Sequence, residues 1–340
     1  MKAVLIDTPL SAKVVDWSVP RLEPNQVLIR VRLSGICASD VMAYRGEHSY
    51  RVPPVITGHE IVGEVHDKGA EVEKFGIGDR VVVEPHWGCG RCLYCSEGDY
   101  NLCIEKGIIG TQSWPGGFAE FVVVPEECLV PLPDELCWEK AVLIEPLAVG
   151  VHAVNRVPIT KESKVAVLGA GPIGLMTVLA VKHLQPRLVL ATDVLPEKLK
   201  LAQVLGADLV ANPLTDDLGR LVAEKVGAGF DVIFVAVPND AVLESSLRLT
   251  RRKGCVVLIA SFGKRSHIHL GELQLYERTL TGTGMYTRRD FNTAIEIATQ
   301  STQLEQLLSK VIKLDEVPET LRRLDANEEK DAVKIAIGFE

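Results

Sequence analysis

The sequence predicts an α/β chain in which a doubly wound parallel sheet is inserted between the two parts of a mostly β domain. Three observations predict it. A glycine-rich turn, Gly169-Ala-Gly171-Pro172-Ile173-Gly174, joins the strand-length apolar run Val165–Leu168 to an apolar run of helix length. From about residue 150 strands and helices alternate, the rhythm of a parallel sheet covered on both faces. Before that point, short apolar runs punctuated by Pro and Gly mark strands and turns.

In chain order, Val27-Leu-Ile-Arg-Val-Arg-Leu33 alternates apolar and basic residues with period 2, as a half-buried strand does. Ile61–Val65, Arg80–Glu84 and Phe118–Val124 read as further short strands, so residues up to about 148 form a mostly β domain. Beyond the glycine turn comes a second strand, Leu188–Thr192. Helices near Glu197–Leu205, Asp217–Val226 and Ala241–Leu249 then alternate with strands near Asp208–Ala211, Phe230–Val237 and Cys255–Ala260. Arg251-Arg-Lys253 reads as a solvated helix end. Phe291–Ala298 and Glu316–Leu324 are helical candidates and Ala332–Gly338 a strand; this tail breaks the rhythm and is expected to return to the first domain. The expected domains are therefore 1–148 with 286–340, and 149–285.

Length and charge narrow the function. A chain of 340 residues exceeds the usual size of one core, which favours two domains. The net charge of −8 disfavours nucleic acid and anionic membranes as partners. No apolar run reaches the ~18 residues of a membrane span, and the first residues lack a signal-type apolar stretch. Four of the eight cysteines crowd between positions 89 and 103, which reads as metal binding in a reducing, cytoplasmic setting rather than a disulfide framework.

The glycine turn becomes specific through its context. Strand before, helix after, and an acid, Asp193, 19 positions beyond Gly174 at the end of the second strand make a dinucleotide-binding fingerprint. The first glycine permits the turn, the second lets a pyrophosphate approach, and the third lets helix and strand pack closely, with the helix N-terminus facing the phosphates. An acid at 193 favours ribose hydroxyls over a 2′-phosphate, hence NAD over NADP.

Two metal signals stand upstream. Cys89-x2-Cys92-x2-Cys95-x7-Cys103 places four thiols on one loop, enough to close a structural zinc shell with no open position. The second is dispersed: Cys37 in Gly35-Ile-Cys-Ala-Ser39-Asp40, His59-Glu60 after Gly58, and Glu145 before the second domain. One sulfur, one nitrogen and one or two oxygens suit a catalytic zinc with an exchangeable position.

With these motifs in order, the sequence resembles the zinc-dependent medium-chain dehydrogenases, in the sorbitol, threonine and polyol branch. The resemblance runs through G-I-C-x-S-D, G-H-E, the four-cysteine loop, G-G-F-A-E-F, E-P-L-A-V and G-A-G-P-I-G. It implies a GroES-like catalytic domain around a Rossmann domain, two zinc ions per chain, and NAD. Cys37, His59, Glu60 and Glu145 would surround the catalytic zinc, Cys89, Cys92, Cys95 and Cys103 the structural one, and Ser39 would carry the substrate proton outward. Gly169, Gly171, Pro172, Ile173, Gly174, Asp193 and Lys198 would bind the adenosine and pyrophosphate side of the cofactor. Ile259, Ala260, Ser261, Thr283, Gly284 and Met285 would lie beside its nicotinamide. Relatives are dimers or tetramers, which implies a homo-oligomer with Thr279–Thr283 as a candidate strand at the subunit edge.

Three positions depart from the branch. Met42 stands where many relatives have the outer histidine of a proton relay, leaving His48, Tyr44 or water as substitutes. Ala43 and Met285 stand where a sorbitol-type pocket has tyrosine and arginine, the latter preceding the position of Tyr286. The expectation is oxidation of a secondary hydroxyl on a polyol, cyclitol, sugar acid or similar small polar alcohol. Threonine 3-dehydrogenase activity is the alternative within that chemistry, and a non-catalytic zinc- and dinucleotide-binding sensor or structural subunit the alternative outside it.

Overall fold

The computed structural model describes residues 1–263 and 265–339. The chain divides into two compact units: Met1–Glu145 with the segment from Ala298 onward, and Pro146–Ile297.

The first unit is built on a seven-stranded sheet. Its order runs Leu308–Lys313, Lys334–Gly338, Gln26–Ile36, Glu60–Lys68, Arg80–Val83, Leu129–Pro131, with Phe121–Pro125 also pairing Gln26–Ile36. All pairs are antiparallel except Leu308–Lys313 with Lys334–Gly338. The period-2 pattern of the long strand works as expected on one face: Val27, Ile29 and Val31 are buried against Ile61, Val81 and Val122. On the other face Arg30 is exposed and Arg32 Nη2 pairs with Glu64 Oε2 at 2.8 Å, while Leu28 and Leu33 are buried too. The strand expected from Phe118 begins only at Phe121, because Gly116, Gly117 and Phe118 donate their N–H groups to Ile56, Gly58 and Thr57.

The second unit is a six-stranded, wholly parallel sheet. Its order is Leu209–Ala211, Leu188–Thr192, Lys164–Leu168, Phe230–Val235, Thr250–Leu258, Thr279–Gly282. Val165, Ala166 and Val167 are fully buried, as the central strand of a sheet covered on both faces must be. The chain order reverses between Lys164–Leu168 and Phe230–Val235, the switch point at which such sheets open a ligand crevice. Two local readings are corrected. The helix expected over 217–226 is one α turn, Leu218–Leu221, followed by a π turn, Val222–Val226. Arg251–Lys253 belong to a strand rather than a helix end, since the helix stops at Leu249 and Arg251 Nε reaches Asp231 Oδ1 at 2.6 Å. Among the described residues, no helix is long and apolar enough to cross a membrane.

Candidate active site and metal centres

In the first unit Cys37 ends the long strand and begins the helix Ala38–Arg45. Asp40 fixes this turn: its Oδ2 accepts from Cys37 N at 2.8 Å, and its Oδ1 from Thr57 Oγ1 at 2.5 Å and Gly58 N at 3.3 Å. One buried carboxylate thereby ties the Cys37 turn to the Thr57–His59 turn. Burial alone would lift the pKa of Asp40, but His59, Arg51 and Thr57 outweigh it and hold the carboxyl well below its usual range. His59 responds in reverse. Burial and Arg51 oppose its charge, and Asp40, with Nδ1 and Oδ1 3.7 Å apart, raises it well above the ordinary imidazole value.

The ligand atoms of Cys37, His59 and Glu60 lie within 4.8 Å of one another. Among the described residues, His59 Nδ1 and Glu60 Oε2 are buried without a hydrogen-bond partner, which an isolated polar cluster would not tolerate. A Cβ at Gly35 would sit 1.9 Å from Glu60 Oε2, so only glycine leaves room for that carboxylate. Sulfur, nitrogen and oxygen donors at this spacing fit a zinc ion. Glu145 is buried nearby, its charge acting on Lys334 together with those of Glu60 and Cys37, but it lies outside the three-residue cluster.

Ser39 Oγ is buried and hydrogen-bonded to none of the described residues. Tyr44 does not extend a relay from it, since Tyr44 OH donates to Leu10 O at 2.9 Å. His48 is committed to its own loop: Nδ1 accepts from Arg51 N at 3.2 Å and Nε2 lies 3.4 Å from Arg51 Nη1.

The four thiols of Cys89, Cys92, Cys95 and Cys103 also converge within 4.8 Å, with Cys92 and Cys95 Sγ 3.6 Å apart, and none is in a disulfide. The Cys95 N–H pulls the Cys92 thiol down to about 6, while burial pushes Cys95 up to about 11. Four sulfurs this close ionise together only around a cation, which fits a closed zinc shell. A Cβ at Gly88 would meet Cys95 Sγ at 2.6 Å. Tyr100, which the sequence did not single out, donates to Glu84 Oε1 beneath this loop.

In the second unit the glycine turn has the geometry its spacing requires. Gly169 has φ +101°, and a Cβ at Gly174 would meet Gly169 O at 1.8 Å. A Cβ added at Gly171 would meet nothing within 4 Å, so the space in front of this position is open. Pro172 opens the helix Pro172–His183, with Ile173 in its first turn. Asp193 closes the motif: Oδ2 accepts from Ala170 N at 2.8 Å and Oδ1 from Leu195 N at 3.0 Å. Lys198 is only 4% exposed, on the helix Pro196–Val204. Ile259 and Ala260 donate to Val235 O, and Ser261 beyond them is exposed. Thr283 N donates to Leu258 O at 3.3 Å while its Oγ1 is buried without a partner among the described residues. A Cβ added at Gly284 would meet open space, and Met285 sits at φ +54°. A second cluster escaped sequence reasoning: Asp290 accepts from His152 Nδ1 at 2.8 Å, Asn155 Nδ2 at 2.7 Å, and Thr287 N and Oγ1 at 2.9 Å.

A unit with a parallel sheet and a dinucleotide turn, in one chain with a mostly β unit that carries two metal-ligating clusters, defines a metal-dependent dehydrogenase architecture. Residues 23–134 match the alcohol dehydrogenase GroES-like domain and residues 172–300 the zinc-binding dehydrogenase domain. The chain is 34% identical over 331 residues to (R,R)-butanediol dehydrogenase of Bacillus subtilis, covering 94% of each. It is 33% identical over 325 residues to D-arabitol-phosphate dehydrogenase of Enterococcus avium, covering 93% and 92%. Among solved structures it matches a zinc-binding dehydrogenase from Sinorhizobium meliloti bound to NADP, with TM-score 0.93, 29% identity and 99% of each chain covered. It also matches an alcohol dehydrogenase from Escherichia coli CFT073 in complex with NADH, with TM-score 0.92, 28% identity and 100% and 99% covered. The chain belongs to the zinc-dependent medium-chain alcohol dehydrogenase family, and it is an oxidoreductase.

Proposed function

We propose that this protein is a cytoplasmic, NAD-dependent zinc dehydrogenase that oxidises a secondary hydroxyl of a small polar alcohol, such as a polyol, cyclitol or sugar acid, to a ketone. The observation that carries the reading is the convergence of Cys37, His59 and Glu60, with the buried hydroxyl of Ser39, two residues after Cys37, left without a partner among the described residues. Relatives acting on butanediol and arabitol phosphate support a substrate of this kind. Zinc bound there supplies Lewis acidity toward the substrate oxygen. Asp40 holds the Cys37 and His59 turns in register, and Ser39 Oγ accepts the proton released from the substrate hydroxyl and passes it to solvent. Glu145 contributes negative charge at the edge of the site. In the second unit, Gly169–Gly174 cradle the pyrophosphate and Asp193 takes the ribose hydroxyls, which disfavours a 2′-phosphate. Ile259–Ser261 and Thr283–Met285 line the nicotinamide. The enzyme would work as a homodimer or homotetramer, with Thr279–Gly282 presenting an unpaired sheet edge to the next subunit.

A screen of polyols, cyclitols, aldonic acids and threonine, following NADH formation, tests this reading. Turnover of one of the first three classes with NAD, lost in Cys37→Ala, is the expected result. Absence of turnover with every compound would reject it.

A further inference from the structure

Arg51 is a buried cation without a partner of matching strength. It is 4% exposed, yet among the described residues it forms no ion pair with any carboxylate. Its five N–H donors find only long contacts: Nη1 to His48 Nε2 at 3.4 Å and Tyr50 OH at 3.5 Å, and Nη2 to Ile109 O at 3.4 Å. Nε has no partner. A buried guanidinium left this way lacks the direct bidentate pairing with an oxyanion that usually offsets its desolvation, and the charge of Asp40 offsets only part of that cost. The position is close to the chemistry, because the charge of Arg51 acts on Asp40, His48 and His59. Nε faces Gly110, where an added Cβ would lie 3.3 Å from it and 3.3 Å from Gly58 O, directly before His59. Burial and Arg51 hold His48 down to about 4, so the imidazole adds no second charge and no counter-anion. Tyr50, whose ring lies over the guanidinium at 5.2 Å, is 43% exposed, so the cluster borders solvent.

We propose that Arg51 reads an oxyanion, carboxylate or phosphate, on the alcohol, so that the site takes an aldonic acid or a polyol phosphate in preference to an uncharged polyol. The proposal rests on the reading of Cys37 and His59 as the oxidation site. An anion would replace the long contacts to His48 and Tyr50 with short charge-assisted ones, without requiring a new charge to be buried alone. Recognition of this kind discriminates strongly, because an uncharged analogue leaves the guanidinium unpaired.

The test compares matched pairs, D-arabitol with D-arabitol phosphate and D-sorbitol with D-gluconate, in the wild-type holoenzyme, Arg51→Gln and Arg51→Lys. The wild type is expected to favour an anionic member by roughly 10- to 100-fold in kcat/KM, the range of a hydrogen-bonded charge. The preference should collapse to within about threefold in Arg51→Gln and survive in part in Arg51→Lys. The phosphate pair and the carboxylate pair separate the two anions. Calorimetric titration with inorganic phosphate and with gluconate reads the same site without turnover. A wild type that oxidises uncharged and anionic alcohols equally well, or an Arg51→Gln variant that folds and keeps the preference, overturns the proposal. If no alcohol is oxidised but phosphate or gluconate binds in an Arg51-dependent way, the proposed reaction fails and the anion site stands. If neither anion binds the wild type, the site fails whatever the reaction proves to be.

Discussion

Lys334 Nζ lies 2.5 Å from Glu60 Oε1, and the two residues are 3% and 0% exposed. They come from strands 274 positions apart, and Lys334 also donates to Ile36 O at 3.3 Å. Burial opposes the ammonium charge, but Glu60, Cys37 and Glu145 outweigh it and raise the pKa of Lys334 above its usual value. The C-terminal strand therefore supplies a buried cation to Glu60 Oε1, while Oε2 has no hydrogen-bond partner among the described residues.

Removing one member of such a pair leaves an isolated buried charge. Lys334→Met should lower stability by about 3–5 kcal/mol, seen as a lower urea midpoint at unchanged m-value. The double variant Lys334→Met with Glu60→Gln should regain most of that loss, because no lone charge remains. Equal midpoints for wild type and Lys334→Met would mean that the pair stabilises nothing.

Metal analysis should give two zinc ions per chain. Cys92→Ser should lose one ion together with a marked fall in Tm, since a four-thiolate shell acts as a crosslink of its loop. Cys37→Ser should lose the other ion and hydride transfer while keeping its Tm near that of wild type. If Cys92→Ser kept both ions, or Cys37→Ser lost none, the division into two sites would be wrong.

Legibility in the sequence followed distance along the chain. The glycine turn and the four-cysteine loop are local: their spacing alone dictates which atoms meet, and Gly169, Gly174 and Gly88 bear close contacts that no side chain allows. The pairs that organise the site are not local. Lys334 reads as one more residue of a C-terminal strand until that strand lies antiparallel to Gln26–Ile36. Arg51 looks like a loop cation until Ile109 and Gly110 close over it, 58 positions later in the case of Ile109. Asp290 and His152 are 138 positions apart. Element edges shifted where tertiary bonds competed with local pattern, as at Phe118, whose N–H goes to Thr57 instead of a strand neighbour.

The cofactor selection proposed for Asp193 can be separated from its structural contacts. Its carboxylate accepts from Ala170 N and Leu195 N, so it also fixes the glycine turn. Asp193→Asn removes the negative charge but keeps an acceptor, and should admit NADP while weakening NAD roughly tenfold. Asp193→Ser, which is too short to reach both N–H groups, should weaken both cofactors further. Kd values from NADH and NADPH fluorescence decide this; an unchanged NAD-to-NADP ratio in Asp193→Asn would remove Asp193 from cofactor selection.

Asp290 gives a pH signature. It is buried and joins the helix Ile144–Asn155, through His152 and Asn155, to the start of the helix Arg288–Gln300. Burial would raise its pKa, but the bonds from His152, Thr287 and Asn155 outweigh it and bring the carboxyl from 3.8 to about 2. A carboxyl depressed on folding stabilises the native state above its unfolded pKa, and that contribution is lost as pH falls through the folded value. The window therefore lies between about pH 4 and pH 2, and the full contribution near neutrality is about 2 kcal/mol. Asp290→Ala should cost at least that much at pH 7. Urea unfolding of wild type and variant should show the difference shrinking by about 1 kcal/mol at pH 3. A gap that stays constant from pH 7 to pH 3 would mean that Asp290 stabilises by shape and packing, with its charge contributing nothing.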